Sequence, residues 1–122
     1  MPEPIRNAMI RVVRGDDHGK GWELVPGEVY TVGRSHKCNL QITDRTASGK
    51  HAQIDRQQGI WILTDLDSSH GTRLNKQRLL ASKPLFDRDS IQCGKTLLEF
   101  REYAQLDAAD LAEIDRGLSV PE

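Results

Sequence analysis

Three short clusters in this 122-residue chain carry residue types suited to binding an anion. The first, Val32-Gly33-Arg34-Ser35, closes an apolar alternating segment. The second, Ala47-Ser48-Gly49-Lys50-His51-Ala52, opens one, and the third, Asp65-Leu66-Asp67-Ser68-Ser69-His70-Gly71-Thr72, joins two. Arg presents a planar fork of donors that can bond two oxygens at once. A Ser hydroxyl adds a neutral donor, Lys a point charge, and a glycine such as Gly49 lets a backbone N–H come close. An anion with several acceptor oxygens and nearly two charges, such as a phosphorylated side chain, matches that set.

The elements that would position these clusters read as short strands. Apolar residues alternate at Ile10 and Val12, at Trp22 and Leu24, at Leu40 and Ile42, and at Ala52 and Ile54. Val29–Val32, Ile60–Leu66, Thr72–Leu74, Ser90–Cys93 and Thr96–Phe100 are further β-forming runs, and Gly, Pro, Asp, Asn and Ser separate the segments. Short strands at this frequency, with no helical period between them, predict an all-β sandwich or barrel. In a sandwich the loops gather at the two ends of the stack. Arg34, Ser48, Lys50 and Ser69 are therefore expected to face a common patch.

The last stretch reads differently. Asp107 is placed to cap a short acidic helix over Ala108–Arg116, which Gly117 stops. From Glu102 onward the chain holds six acids and one base, a net charge of −5 within a total of −1. The body is thus mildly basic and the tail acidic. The expected organisation is a tail over residues 1–8, a β-sandwich domain over 9–101, and an acidic tail over 102–122.

Other classes are disfavoured. Net charge near zero argues against a general nucleic-acid binder. No apolar run approaches the ~18 residues of a membrane helix, and no basic-then-apolar leader opens the chain, so residence in the cytoplasm is expected. Cys38 and Cys93 are too few for a disulfide scaffold and read as buried thiols. The four histidines form no metal-ligand spacing, and no cofactor is called for. Gly15-Asp16-Asp17-His18-Gly19-Lys20 is one residue short of a nucleotide phosphate loop and reads as a hairpin turn. No nucleophile elbow occurs, so the chain is not expected to be an enzyme.

Gly33-Arg34, then Ser48-x-x-His51, then Ser69-x-Gly71-Thr72, within some forty residues, resembles the forkhead-associated (FHA) domain. The similarity runs from about Met9 to Phe100 and includes Leu85–Gly94, where an Asp precedes a strand ending in Gly. The resemblance implies an eleven-stranded antiparallel β-sandwich of the SMAD/FHA type that binds phosphothreonine peptides through loops at one end. It implies that Arg34 and Ser48 bind the phosphate and that Ser69 helps hold the phosphothreonine. Gly33, His51, Gly71 and Thr72 then support the site. The family usually has Asn where this chain has His70, at the contact with the peptide backbone. It often has Arg or Asn at Gly49, for which Lys50 is the candidate substitute. The implied partner is a phosphothreonine-containing protein, a Ser/Thr kinase or its substrate, with no nucleic acid and no membrane insertion. The alternative is an FHA-fold scaffold that binds its partner independently of phosphorylation.

Overall fold

The structure, a computed structural model, describes residues 6–104. Eleven strands run in the order β1 (Arg6–Arg14), β2 (Gly21–Leu24), β3 (Val29–Gly33), β4 (Leu40–Gln41), β5 (Ala52–Gln57) and β6 (Ile60–Asp65), followed by β7 (Thr72–Leu74), β8 (Gln77–Arg78), β9 (Lys83–Pro84), β10 (Ser90–Cys93) and β11 (Thr96–Ala104). They form a six-stranded sheet, β2-β1-β11-β10-β7-β8, and a five-stranded sheet, β4-β3-β5-β6-β9. No helix occurs among the described residues, and the helix expected over 108–116 lies outside them. The β1–β11 ladder, the longest, extends from Arg6↔Ala104 to Arg14↔Leu97 with a bulge between Val12 and Arg14.

Alternation decides which faces meet. Ala8, Ile10 and Val12 on β1 and Leu98 and Phe100 on β11 point inward and are fully buried. They pack on Val32, Ile54, Trp61 and Leu63 from the other sheet. Trp61 and Phe100 meet edge to face at 6.3 Å and 62°, an arrangement that suits the ring quadrupoles. The residues between them, such as Arg11, Glu23 and Arg73, are exposed, as the period of two requires.

One pair departs from the expected all-antiparallel pattern: β3 and β4 are parallel, through Val32↔Leu40 and Gly33↔Gln41. A parallel pairing normally needs a long crossover. Here only residues 34–39 intervene, so the chain folds back beside β3 for just two residues. Asn39 secures the return, its side-chain oxygen accepting from the Thr31 N–H (2.9 Å) and hydroxyl (3.1 Å).

Register brings the loops together. Val32, Ala52 and Asp65 form one cross-strand row of the five-stranded sheet. Thr72, Cys93 and Thr96 form the matching row of the other. The loops after β3, before β5, between β6 and β7, and between β10 and β11 therefore emerge side by side at one end.

Candidate functional site

The close approach of two loops defines the floor of the site. The N–H groups of Arg34 and Ser35 donate to the carbonyls of Ser48 and Gly49, each at 3.0 Å. Gly33 permits this contact, because a Cβ there would sit 2.2 Å from the Gly49 carbonyl oxygen and 3.0 Å from Cys38 Sγ. Any other residue would push the Arg34 and Ser48 loops apart. The Cys38 thiol, which sequence reasoning left as plain core, also donates to the Gly49 carbonyl at 3.1 Å.

His51 is fully buried and ties the second loop to the third. Its Nδ1 accepts from the Ser48 N–H at 3.0 Å, so the ring proton sits on Nε2, which donates to the Gly71 carbonyl at 2.9 Å. Its own backbone bonds Val32 on one side and Leu66 on the other. The outcome is a short bridge between residues 21 apart in sequence: the Ser69 N–H donates to Ser48 Oγ at 2.9 Å, and the two hydroxyl oxygens lie 3.4 Å apart.

Two carboxylates that the sequence did not single out complete the frame. Asp65, at the end of β6, accepts from the hydroxyls of Ser68 (2.5 Å) and Thr72 (2.6 Å). Burial opposes its ionisation, but these hydrogen bonds outweigh it and hold its pKa below the usual range. Asp44 accepts from the Thr46 N–H and hydroxyl, and across the sandwich from the Lys95 N–H (2.8 Å) and the Thr96 hydroxyl (2.7 Å). Burial again opposes ionisation, yet the hydroxyls of Thr46 and Thr96 and the two N–H groups bring its pKa down to about 2. Asp44-x-Thr46 has the spacing of an Asx turn, a signal legible in the chain. Its partners Lys95 and Thr96, in the turn before β11 and at its first position, lie 51 and 52 residues away, where no local pattern points.

Other expected residues fall as follows. Thr72 is buried against Asp65, and Gly71, at φ +83°, occupies a backbone region costly for any side chain. Arg34 and Lys50 are exposed and make no ion pair among the described residues. Gly49 has no positive φ, and a Cβ there would meet only the Ser35 Cβ, at 4.0 Å. His70 is exposed on the wall of a groove of about 350 Å³ shared with Thr46, Arg73 and Lys95. Both cysteines are buried, and burial raises the pKa of the Cys93 thiol well above its ordinary value. The Gly15–Lys20 segment is a turn joining antiparallel β1 and β2.

Residues 30–94 of this loop-bearing sandwich match the FHA domain family. The chain belongs to the FHA family. FHA domains are phosphopeptide-binding modules of protein–protein interaction. This FHA chain is 37% identical over 86 residues to an FHA domain-containing protein of Arabidopsis thaliana, covering 68% of this chain but only 22% of that protein. It is 32% identical over 99 residues to an oxoglutarate dehydrogenase inhibitor of Corynebacterium diphtheriae, covering 81% of this chain and 68% of that one. The solution structure of the FHA domain of an Arabidopsis thaliana hypothetical protein superposes with a TM-score of 0.79 at 28% identity. That alignment covers 88% of this chain and 97% of the other.

Proposed function

We propose that the chain is a phosphothreonine-dependent protein-binding module of Ser/Thr kinase signalling in the cytoplasm, and that it catalyses no reaction. The observation that carries this reading is the Ser48–Ser69 bridge beside Arg34. Ser48 Oγ accepts from the Ser69 N–H, and its proton faces Ser69 Oγ across a long 3.4 Å contact. That hydroxyl proton is available to a phosphate oxygen. Arg34, free of carboxylate partners among the described residues, supplies the fork for two more. Lys50 and the N–H of Gly49 add positive potential at the rim, and His70 meets the backbone of the bound peptide. Gly33, His51, Gly71 and Thr72 keep the loops in register so that the donors are pre-organised before the ligand arrives. The partner is a phosphothreonine-bearing protein, a Ser/Thr kinase or its substrate.

A phosphothreonine peptide library tests the reading. Arg34→Ala is expected to cost about 2–5 kcal/mol, a loss on the order of 30- to several thousand-fold in affinity. Peptides that bind equally well after dephosphorylation and to the Arg34→Ala variant would refute it. That result would favour the alternative, a scaffold that captures its partner without phosphate, for which the exposed His70 in place of the family's usual Asn is the supporting feature.

A further inference from the structure

The groove beside His70 does not end at the loops. Arg73 and Gln92, cross-strand neighbours on β7 and β10, form a wall that it shares with a second groove of about 200 Å³. The second groove lies on the outer face of the six-stranded sheet, between Arg14, Lys76 and Leu97. Lys95, Arg73, Arg14 and Lys76 thus line one continuous path, and none of them has an ion-pair partner among the described residues. No carboxylate lines either groove among those residues. Of the nearby acids, Glu99 faces Arg11 at 3.7 Å, Asp89 accepts from Asn75 and from the Phe86 N–H, and Asp44, at the loop end of the first groove, is taken up by hydrogen bonds from Thr46, Lys95 and Thr96.

The turn that presents Lys76 is rigid. Asn75 and Lys76 have φ of 50° and 74° between the paired Leu74 and Gln77, the geometry of a two-residue hairpin loop. Glycine is the residue that this second position ordinarily favours. Asn75 is clamped by Asp89 through its amide nitrogen and by the Ser90 N–H through its oxygen, at 3.0 and 2.9 Å. A lysine is therefore held at a strained backbone position at the edge of a groove that already contains two arginines.

We propose that this path binds an acidic segment of the same partner that carries the phosphothreonine, laid along the outer face of the six-stranded sheet. The proposal rests on the phosphothreonine reading above. A peptide anchored at Ser48 and Ser69 passes His70 and Gly71 on leaving the loops, and there it meets the first cations of the path. Charge complementarity then selects Asp and Glu over neutral residues in the flank. Exposed ion pairs of this kind are individually weak, so the preference is built from three or four of them and is screened by salt.

The test uses three phosphothreonine peptides with one common core: one with Asp and Glu on the amino-terminal flank, one with them on the carboxy-terminal flank, and one with Asn and Gln on both. Binding is measured by fluorescence anisotropy at low and high salt on the full chain. One acidic-flank peptide is expected to bind about tenfold more tightly than the neutral one at low salt, with the preference shrinking as salt rises. The Arg14→Gln/Arg73→Gln/Lys76→Gln variant should lose most of that preference while holding the neutral peptide as before, which also shows that it is folded. Equal binding of all three peptides to the unaltered chain would overturn the proposal and leave the phosphothreonine reading standing. Absence of phosphate-dependent binding to any peptide would remove that reading and the proposal with it. A preference seen only after Asp107, Asp110, Glu113, Asp115 and Glu122 are changed to Asn or Gln would show that the acidic tail fills the path in cis. That result would overturn the assignment to a partner.

Discussion

The middle of the sandwich and its loop end are held by opposite means. In the middle, Trp61, Phe100, Ile10, Leu63 and Leu98 are buried side chains meeting across two sheets, and their attraction depends on area and volume rather than direction. At the loop end, His51, Asp44, Asp65, Thr72 and Thr96 tie the same two sheets through hydrogen bonds of 2.6–3.0 Å whose directions are fixed. The first arrangement tolerates small shifts and supplies most of the stability. The second transmits any shift straight to Ser48, Ser69 and Arg34. The proposed phosphate site would need the directional kind, while the fold as a whole needs the other.

Trp61→Ala breaks the apolar half and carries the largest expected effect. It should lower unfolding free energy by about 3–5 kcal/mol in a urea titration, while the folded fraction keeps its phosphopeptide affinity. His51→Ala breaks the polar half. It leaves the Ser48 N–H and the Gly71 carbonyl unpaired in a buried place, costing about 2–4 kcal/mol of stability. Unlike the Trp61 variant, it should also weaken phosphopeptide binding at least tenfold, measured by calorimetry on folded protein. Equal affinity in these two variants would erase the division between the two regions.

Acid titration sharpens the same contrast. The folded pKa of Asp44, about 2, lies below its unfolded value near 4, so its stabilisation is fully present above roughly pH 4 and disappears as pH falls through about 2. Asp65, shifted in the same direction, adds to the loss. Asp44→Asn should therefore lessen the acid sensitivity of unfolding by on the order of 1–2 kcal/mol, read from thermal melts between pH 5 and 2. An unchanged profile would mean that the hydrogen bonds from Thr46 and Thr96 to Asp44 do not depend on its charge. The smallest effect is a gain: Gly49→Arg has open space for its Cβ and adds a fork beside Arg34. It should tighten phosphopeptide binding by about three- to tenfold with no change in the melting temperature.

The strands were legible because alternation is local. Ile10/Val12, Ala52/Ile54 and Ser90–Cys93 announce a period of two within a few residues, and the structure places each on a strand. Arg34, Ser48, Ser69 and His51 were legible through the FHA pattern, and their loops do emerge together. The parallel pairing of β4 was not, because the alternation of Leu40 and Ile42 announces a strand but not its neighbour, and Asn39, Gln41 and the Ile42 N–H hold the return through contacts to Thr31, Arg34 and Gly33. Nothing in the chain pairs Asp65 with Thr72, or the buried Cys38 thiol with the Gly49 carbonyl, because each contact spans two different loops or strands.

The sequence by itself determined the all-β fold class and the family, since each rests on residue types within a short window. Only the tertiary structure decided that Asp44 reaches across to Thr96, that the proton of His51 sits on Nε2, and that four cations line one path from His70 to Lys76. Those facts depend on which strands lie beside one another. Strand pairing is set by burial summed over the whole chain, so no stretch short enough to read as a motif contains it.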